Sequence, residues 1–175
     1  GCTGAELVAR RETMRRKDRE VKSADEIRGI LETCKVCRLG FSDQGSIYIV
    51  PMNFGAVFEE GRLVLYFHGA KEGKKLLLLR ENPVVGIEMD CRHELAAGNT
   101  ACQYSYYYAS LIGNGRAEIV TEPDEKRRAL AVIMRHQTGR EFTEFDTNPK
   151  LEQAVEIIRV EAEEFSCKCH SRDEI

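Results

Sequence analysis

Two short turns between strand-like segments constrain the fold of this chain more than any other feature of its sequence. Asp43-Gln44-Gly45 follows a strand-like segment at residues 36–42, and Glu59-Glu60-Gly61 lies between segments at 54–58 and 62–68. Each turn has the polar residues and the glycine that tight hairpins prefer. Strands joined this closely must be antiparallel, because a parallel connection needs a crossover of a dozen or more residues. The sequence therefore predicts an antiparallel meander and excludes a parallel βαβ sheet.

Helical patterns flank and interrupt this meander. Ser23 and Glu26 form a capping box ahead of an apolar repeat at i, i+3, i+4 and i+7, which predicts a short amphipathic helix. Further helices are predicted over 72–81, after a cap at Thr121, and over 148–156. The remaining predicted segments are strands at 46–54, 84–90, 104–120 (bent at Gly113 and Gly115) and 157–166, and a loop at 91–103. This order favours a mainly β fold, a closed antiparallel β-barrel with peripheral helices.

Composition is that of a soluble globular protein with one main domain. The 175 residues are 42% hydrophobic and 31% charged, the net charge is -3, and no apolar run approaches the length of a membrane-spanning helix. Seven cysteines without a secretory signal pattern indicate reduced thiols and a cytoplasmic protein. We divide the chain into a charged N-terminal arm at residues 1–22, a barrel domain at 23–166 and a C-terminal tail at 167–175.

The charged arm has two interpretations. Its run RRETMRRKDRE could contact nucleic acid through Arg15, Arg16, Lys17 and Arg19, or it could lie in solvent or on a partner subunit. Acidic residues interrupt the run and the whole chain is acidic, so we favour the second interpretation and expect no nucleic-acid partner.

The loop that follows the segment at 62–68 is a candidate anion site. Gly69 and Gly73 allow a ligand to approach the backbone closely, and Lys71, Lys74 and Lys75 stand at the start of the predicted helix. Lysines at a helix N-terminus oppose the helix dipole, which favours an anion among them. A phosphate group would satisfy this arrangement, and a solvated loop is the alternative.

Aromatic and histidine side chains surround this loop in the sequence. His68 ends the strand beside the candidate anion site, and it is either a structural hydrogen-bonding residue or a catalytic one. The run YSYYY at 104–108 places alternate tyrosines on one face of a strand. These rings either pack within the barrel or against a partner, or they contact a flat ring system.

Cysteine spacing suggests two further sites that we disfavour. Cys34 and Cys37 form a CxxC sequence, but reactive pairs of this kind usually begin a helix, whereas Cys34 ends one. The same two residues with Cys167, Cys169 and His170 have an incomplete zinc-site spacing. Buried apolar cysteines are the simpler interpretation, and we assign no metal site.

Four segments carry a family resemblance: MRRKDRE at 14–20, YIVPMNFG at 48–55, LYFHGAKEGKKLLLLRENP at 65–83 and YYYASLIGNGRAEIV at 106–120. In this order and spacing they resemble the pyridoxamine 5'-phosphate oxidase-like FMN-binding split-barrel superfamily, and within it the nitroimidazole-resistance group. The resemblance covers about residues 14–166. It implies a six-stranded antiparallel split barrel, an FMN cofactor and a homodimer with two flavin sites at the subunit interface.

The resemblance also implies roles for individual residues. The residues that would line the edge of the flavin ring are Val50, Pro51, Met52 and Asn53, and those that would follow the ring and the ribityl chain are Phe67, His68 and Gly69. Lys74 and Lys75 would bind the phosphate. Tyr108 and Ser110 would face a flavin held mainly by the other subunit. His68 would also be the catalytic residue, as a proton donor or a group that orients the substrate.

The function expected from this resemblance is that of an FMN-dependent oxidoreductase acting on a small molecule. NAD(P)H is the expected electron donor, and a nitro compound or flavin is the expected acceptor. The C-terminal segment lacks the tryptophan and arginine that the oxidase itself uses, so oxidation of pyridoxamine phosphate is disfavoured. The alternative is a carrier or sensor protein that binds flavin or haem without turnover.

Overall fold

The computed structural model describes residues 14–172, and it is dominated by eight strands. Residues 1–13 of the charged arm and the last three residues of the tail lie outside the described residues. The strands are β1 (Glu20–Val21), β2 (Val36–Asp43), β3 (Ser46–Asn53), β4 (Gly55–Glu59), β5 (Arg62–Gly69), β6 (Val84–Ala96), β7 (Ser105–Val120) and β8 (Glu156–His170). The two tight turns join β2 to β3 and β4 to β5 as antiparallel pairs, which confirms the predicted meander.

Five α-helices accompany the strands within residues 14–172. They are α1 (Ala24–Thr33), α2 (Lys74–Glu81), α3 (Pro123–Thr138), α4 (Glu144–Thr147) and α5 (Lys150–Gln153), with single 3-10 turns at Lys17–Arg19 and Ala101–Gln103. Ser23 caps α1 as predicted, because its hydroxyl accepts a hydrogen bond from the Glu26 amide. The predicted cap of α3 at Thr121 is wrong. Glu122 caps this helix instead, since its carboxylate accepts from the amides of the next turn at 2.9 and 2.7 Å.

The strands form one sheet in the order β3-β2-β6-β7-β8-β5-β4, and β1 pairs with β8 outside this path. The two ends of the path do not pair, so the prediction of a closed barrel is wrong and the sheet is an open, split barrel with peripheral helices. The mainly β class and the split-barrel architecture are confirmed. The structure has eight strands within its described residues, more than the expected six. One of the additional strands is the two-residue β1, which pairs with β8 at Cys167 and Lys168.

Two strands are longer than the sequence predicted. β6 continues from residue 90 to Ala96, through an irregularity between Cys91 and Glu94 where Arg92 has a φ of 60°. The predicted loop at 91–103 is therefore wrong over its first half. Hydrogen bonding of the main chain to β7 extends the strand over polar residues, although their side chains do not alternate between buried and exposed. β8 likewise reaches His170, beyond the predicted end at residue 166.

Apolar side chains from the inner face of the sheet fill the core. Leu39, Phe41, Phe54, Phe67 and Leu111 are each at most 1% exposed. Tryptophan is absent from the chain, and phenylalanine and aliphatic residues take its place. No helix of the described residues is long and apolar enough to cross a membrane.

Candidate functional site

The start of α2 is open to a ligand. Gly73 precedes the helix with a φ of 147°, a conformation that residues with a side chain rarely adopt, and no side chain from residues 14–172 caps this helix N-terminus. The first amides of a helix have no partner within it and carry partial positive charge. The predicted glycine and lysine loop therefore leads to a helix N-terminus that can receive an anion.

Lys75 and Gly69 form a cradle at this point. A Cβ atom added to Gly69 would lie 3.1 Å from Nζ and 3.2 Å from Cε of Lys75. The lysine side chain therefore lies over the end of β5, against the space that a side chain at position 69 would occupy. Among residues 14–172 the Lys75 ammonium has no hydrogen-bond or ion-pair partner. This unpaired charge beside the open N-terminus of α2 fits a phosphate group.

Lys74 has a different environment from its neighbour. Its ammonium lies 2.8 Å from the Asp43 carboxylate and 4.5 Å from the centre of the Tyr48 ring. The hydrogen bond to Asp43 raises the pKa of Lys74. The two lysines, predicted to act as a pair, are thus separated in role: Lys74 ties α2 to the β2–β3 hairpin, and Lys75 is available to a ligand.

His68 and Phe67 alternate across β5. Phe67 is fully buried in the core, whereas His68 is exposed on the opposite face. Within the part of the chain that is described, His68 makes no hydrogen bond, ion pair or ring contact. Its imidazole is free to meet a ligand, and Phe67 can contribute to a site only through its backbone and through packing.

The β3 residues assigned to the flavin edge point in two directions. Val50 and Met52 are half-buried and pack on the core, while Pro51 and Asn53 are exposed on the outer face. The Asn53 amide is already engaged, since it donates to the Lys35 carbonyl at 3.0 Å. Any contact of this segment with a ligand therefore depends largely on its backbone.

Tyr108 and Ser110 lie far from His68 along the sheet. His68 pairs with Ile157 of β8, and Ile157 pairs with Val120 of β7. Tyr108 stands twelve positions before Val120. At about 3.3 Å per residue this is about 40 Å along the strand. The predicted site residues therefore form two separate groups in one chain, one at the end of β5 and α2 and one on the outer face of β7.

A large groove covers the outer face of the sheet beside the second group. It has a volume of about 1240 Å³, and its apolar lining includes Ile47, Ile49 and Ile112. These three side chains are 73%, 63% and 52% exposed, which is high for isoleucine. None of the predicted site residues lines the groove. Pro51 and Ser110 lie on β3 and β7, two of the strands that form it.

Charged residues that the sequence analysis did not single out lie in and beside this groove. Arg38 bridges two carboxylates, with its Nη1 3.3 Å from Glu88 and 3.2 Å from Asp90. Burial and the neighbouring Asp90 raise the pKa of Glu88 to about 7. His93 in turn contacts Asp90. Arg38 lies on β2 and the other three residues lie on β6, and no local signal in the sequence showed that these two strands bring the side chains together.

The cysteines do not pair as their spacing in the sequence suggested. The partner of the Cys34 thiol is Cys91 of β6, and Cys37 instead contacts a backbone carbonyl at 3.8 Å. Burial raises the pKa of Cys37 to about 12. Within residues 14–172, no three histidine, cysteine, aspartate or glutamate side chains group as metal ligands.

Comparisons with known proteins identify relatives of this fold. A family model described as pyridoxamine 5'-phosphate oxidase matches residues 23–169. A candidate 5-nitroimidazole antibiotic resistance protein from Bacteroides thetaiotaomicron is similar at 31% identity, over 85% of each chain, with a TM-score of 0.71. A comparison with curated proteins gave no match.

Two further solved structures share the fold at lower identity. The flavocytochrome Anf3 from Azotobacter vinelandii is 19% identical over 93% of this chain and 74% of its own, with a TM-score of 0.72. A FAD- and haem-binding protein from Mycobacterium smegmatis is 18% identical over 87% of this chain and 74% of its own, also with a TM-score of 0.72. At these identities the similarity establishes the fold alone.

Proposed function

We propose that this chain, which belongs to the pyridoxamine 5'-phosphate oxidase family, binds FMN and uses it as an oxidoreductase. The observation that carries the proposal is the cradle at the end of β5, where an unpaired Lys75 ammonium lies over Gly69 beside the uncapped N-terminus of α2. This arrangement offers a phosphate group a full positive charge together with backbone donors.

The residues around the cradle fit the rest of the cofactor. Phe67 is buried in the core and holds the end of β5 in place. The His68 side chain is exposed next to the cradle. β3 offers backbone groups from Val50 to Asn53 near the sheet edge. FMN and FAD share the flavin ring, and a site for the single phosphate of FMN is the simpler match to one lysine and one helix N-terminus.

The separation of the two groups of site residues supports a homodimer. His68 lies in register with Val120 through β8, twelve positions along β7 from Tyr108, so the two residues occupy different parts of the sheet. They can share a ligand if Tyr108 and Ser110 come from a second copy. The exposed isoleucines of the groove provide an apolar surface on the same side of the sheet for such a contact.

In the proposed reaction, FMN supplies the reversible transfer of electrons between NAD(P)H and an acceptor such as a nitro compound or a flavin. Lys75 holds the phosphate end of the cofactor, and the β3 backbone orients the ring. The exposed His68 imidazole orients the substrate or donates a proton to it. The seven cysteines of the sequence are expected to be reduced thiols, and we place the protein in the cytoplasm.

A carrier or sensor of flavin or haem is the second candidate. It is favoured by the similarity in fold to the flavocytochrome and to the FAD- and haem-binding protein, and because no residue among 14–172 is a polar partner that would orient His68. In this case the protein binds its cofactor but does not support sustained electron transfer.

One experiment separates the two candidates. The purified protein is titrated with FMN, the bound flavin is reduced with NADH or NADPH, and a nitroaromatic acceptor is added. The oxidoreductase consumes NAD(P)H steadily and reoxidises its flavin on adding the acceptor. A carrier binds FMN without steady consumption, and a protein that leaves the FMN spectrum unchanged contradicts the cofactor assignment.

A further inference from the structure

A bulge in β6 brings two polar side chains together on the outer face of the sheet. β6 advances three positions over residues 91–94, while β7 advances only two over residues 107–109. Arg92 lies within this bulge and has a φ of 60°, a left-handed conformation that costs free energy for a residue with a side chain. In a regular strand Asp90 and His93 would face opposite sides of the sheet. Here a ring nitrogen of His93 contacts the Asp90 carboxylate.

The Asp90 carboxylate fixes both the orientation and the tautomer of the His93 ring. One carboxylate oxygen contacts Nε2 of His93, and the other lies 3.2 Å from Nη1 of Arg38. The pKa of this carboxyl is lowered, first by Glu88 and then by His93 and Arg38, against the effect of burial. The carboxyl is therefore ionised and can only accept hydrogen bonds. Nε2 must carry a proton to bond to it, which leaves Nδ1 as the nitrogen that gains and gives up a proton.

The Nδ1 side of the His93 ring is open to a ligand. Within residues 14–172, Nδ1 has no hydrogen-bond partner. The side chain is 45% exposed, and its ring centre lies 5.9 Å from that of Tyr106, another exposed residue. A flat aromatic molecule that stacks on Tyr106 can place a polar substituent within reach of Nδ1.

The other histidines of the chain have different surroundings. All four histidines lie within residues 14–172. A ring nitrogen of His136 and one of His170 each face a backbone carbonyl, at 2.8 and 3.0 Å, and His68 has no hydrogen-bond partner there. His93 is thus the histidine that a carboxylate holds, and a carboxylate behind an imidazole both orients the ring and stabilises its protonated form.

Strand register places this pair next to a residue of the proposed flavin site. Asp90 pairs directly with Ser110 of β7, so their side chains share one face of the sheet, with Cβ atoms about 5 Å apart. Ser110 is one of the two residues that would face a flavin held mainly by a second copy. The His93 ring would therefore lie beside that flavin.

We propose that His93, positioned by Asp90, donates a proton to a nitro-compound acceptor that stacks on Tyr106. This inference rests on the proposed flavin chemistry and names the acid of that reaction. Of the two roles given to His68, orienting the substrate is the one that remains.

The proton balance of the reaction requires such an acid. Reduction of a nitro group to a nitroso group takes two electrons and two protons, breaks one nitrogen–oxygen bond and releases one water. Both electrons and one proton come from the reduced cofactor. Nδ1 of His93 gives the second proton to the departing oxygen, and the imidazole regains a proton from solvent. Asp90 holds Nε2 throughout.

Nitrogen NMR of histidine-labelled protein without FMN tests the pairing itself. In the neutral His93 ring we expect the proton on Nε2 and a bare Nδ1. Asp90→Asn should move the Nε2 proton resonance upfield, because a neutral hydrogen bond replaces a charge-assisted one. A neutral ring with its proton on Nδ1, or an unchanged resonance in Asp90→Asn, would overturn the proposal.

Rapid mixing of reduced, FMN-loaded protein with a nitroaromatic compound tests the proton transfer. His93→Gln should slow reoxidation of the flavin about 100-fold or more, since general acids contribute about 10²–10⁴-fold. Asp90→Asn should slow it about tenfold or more, because the ring loses its orienting carboxylate. His170→Gln is the matched control, the same replacement at a ring that faces a backbone carbonyl, and it should leave the rate nearly unchanged.

FMN binding and its reduction by NADH or NADPH test the proposed function and are measured on the same samples. Both should be unchanged in His93→Gln. If this variant binds and reduces FMN normally but reoxidises it at the unmodified rate, the inference is wrong and the flavin proposal stands. Loss of FMN binding in His93→Gln would also overturn the inference, because His93 would then hold the cofactor.

Discussion

Replacing Lys75 and Lys74 one at a time tests the phosphate cradle. Lys75→Ala removes the unpaired ammonium over Gly69, and Lys74→Ala removes an ammonium that Asp43 and Tyr48 already engage. A hydrogen bond to a charged group contributes about 1.5–3 kcal/mol. Loss of this contact should weaken FMN binding about 10- to 150-fold in Lys75→Ala.

Lys74→Ala should have a smaller effect. Its ion pair is partly exposed, and such pairs contribute about 0.2–1 kcal/mol, mainly to the stability of α2 against the β2–β3 hairpin. We expect a loss of FMN affinity of no more than about fivefold, from the weaker long-range attraction alone. The double replacement of Lys74 and Lys75 should release FMN.

Titration of flavin fluorescence or absorbance against each variant gives the dissociation constants. Lys71→Ala is the matched control, because Lys71 is an exposed lysine of the same loop. Circular dichroism confirms that each variant is folded. An equal or larger loss in Lys74→Ala than in Lys75→Ala would refute the separation of roles. Unchanged affinity in the double variant would show that the phosphate binds elsewhere.

Three further predictions follow from other parts of the structure. Gly113→Ala places a Cβ 2.2 Å from a backbone oxygen of β8 and should destabilise the protein by about 1–3 kcal/mol or more in chemical denaturation, whereas Gly86→Ala meets no atom within 4 Å and should have little effect; equal effects would contradict the packing of β7 on β8. The folded state raises the pKa of Glu88 from near 4.5 to about 7, so stability should fall as the pH rises through this interval, and Glu88→Gln should remove that slope; an unchanged slope would refute the role of Glu88. Mixing Lys75→Ala with Tyr108→Ala chains should restore about half of the FMN sites in mixed dimers, and no recovery after subunit exchange would argue against a shared site.

The strands of the meander could be predicted from the sequence because their signals are local. The turns at 43–45 and 59–61, with alternation on either side, gave β2 and β5 to within one or two residues. The extension of β6 past Cys91 could not be predicted in this way. It depends on pairing with β7, and its polar residues resemble those of a loop.

The candidate site likewise has contacts that the sequence could predict and contacts that it could not. The approach of Lys75 to Gly69 involves residues of one loop, and the chemistry of that loop indicated an anion site. The engagement of Lys74 by Asp43 and the contact of Cys34 with Cys91 join residues distant in sequence. Only the register and curvature of the sheet determine such contacts. The spacing of Cys34 and Cys37 therefore suggested a pair that the fold does not form.

The most direct test of the central claim is the stoichiometry of FMN binding, measured together with molar mass. The purified protein is saturated with FMN, separated by size exclusion with light scattering, and its bound flavin is quantified by absorbance. We predict a dimer that carries one FMN per chain. A protein that elutes without flavin at saturating FMN, or a monomer that retains one FMN, would contradict it.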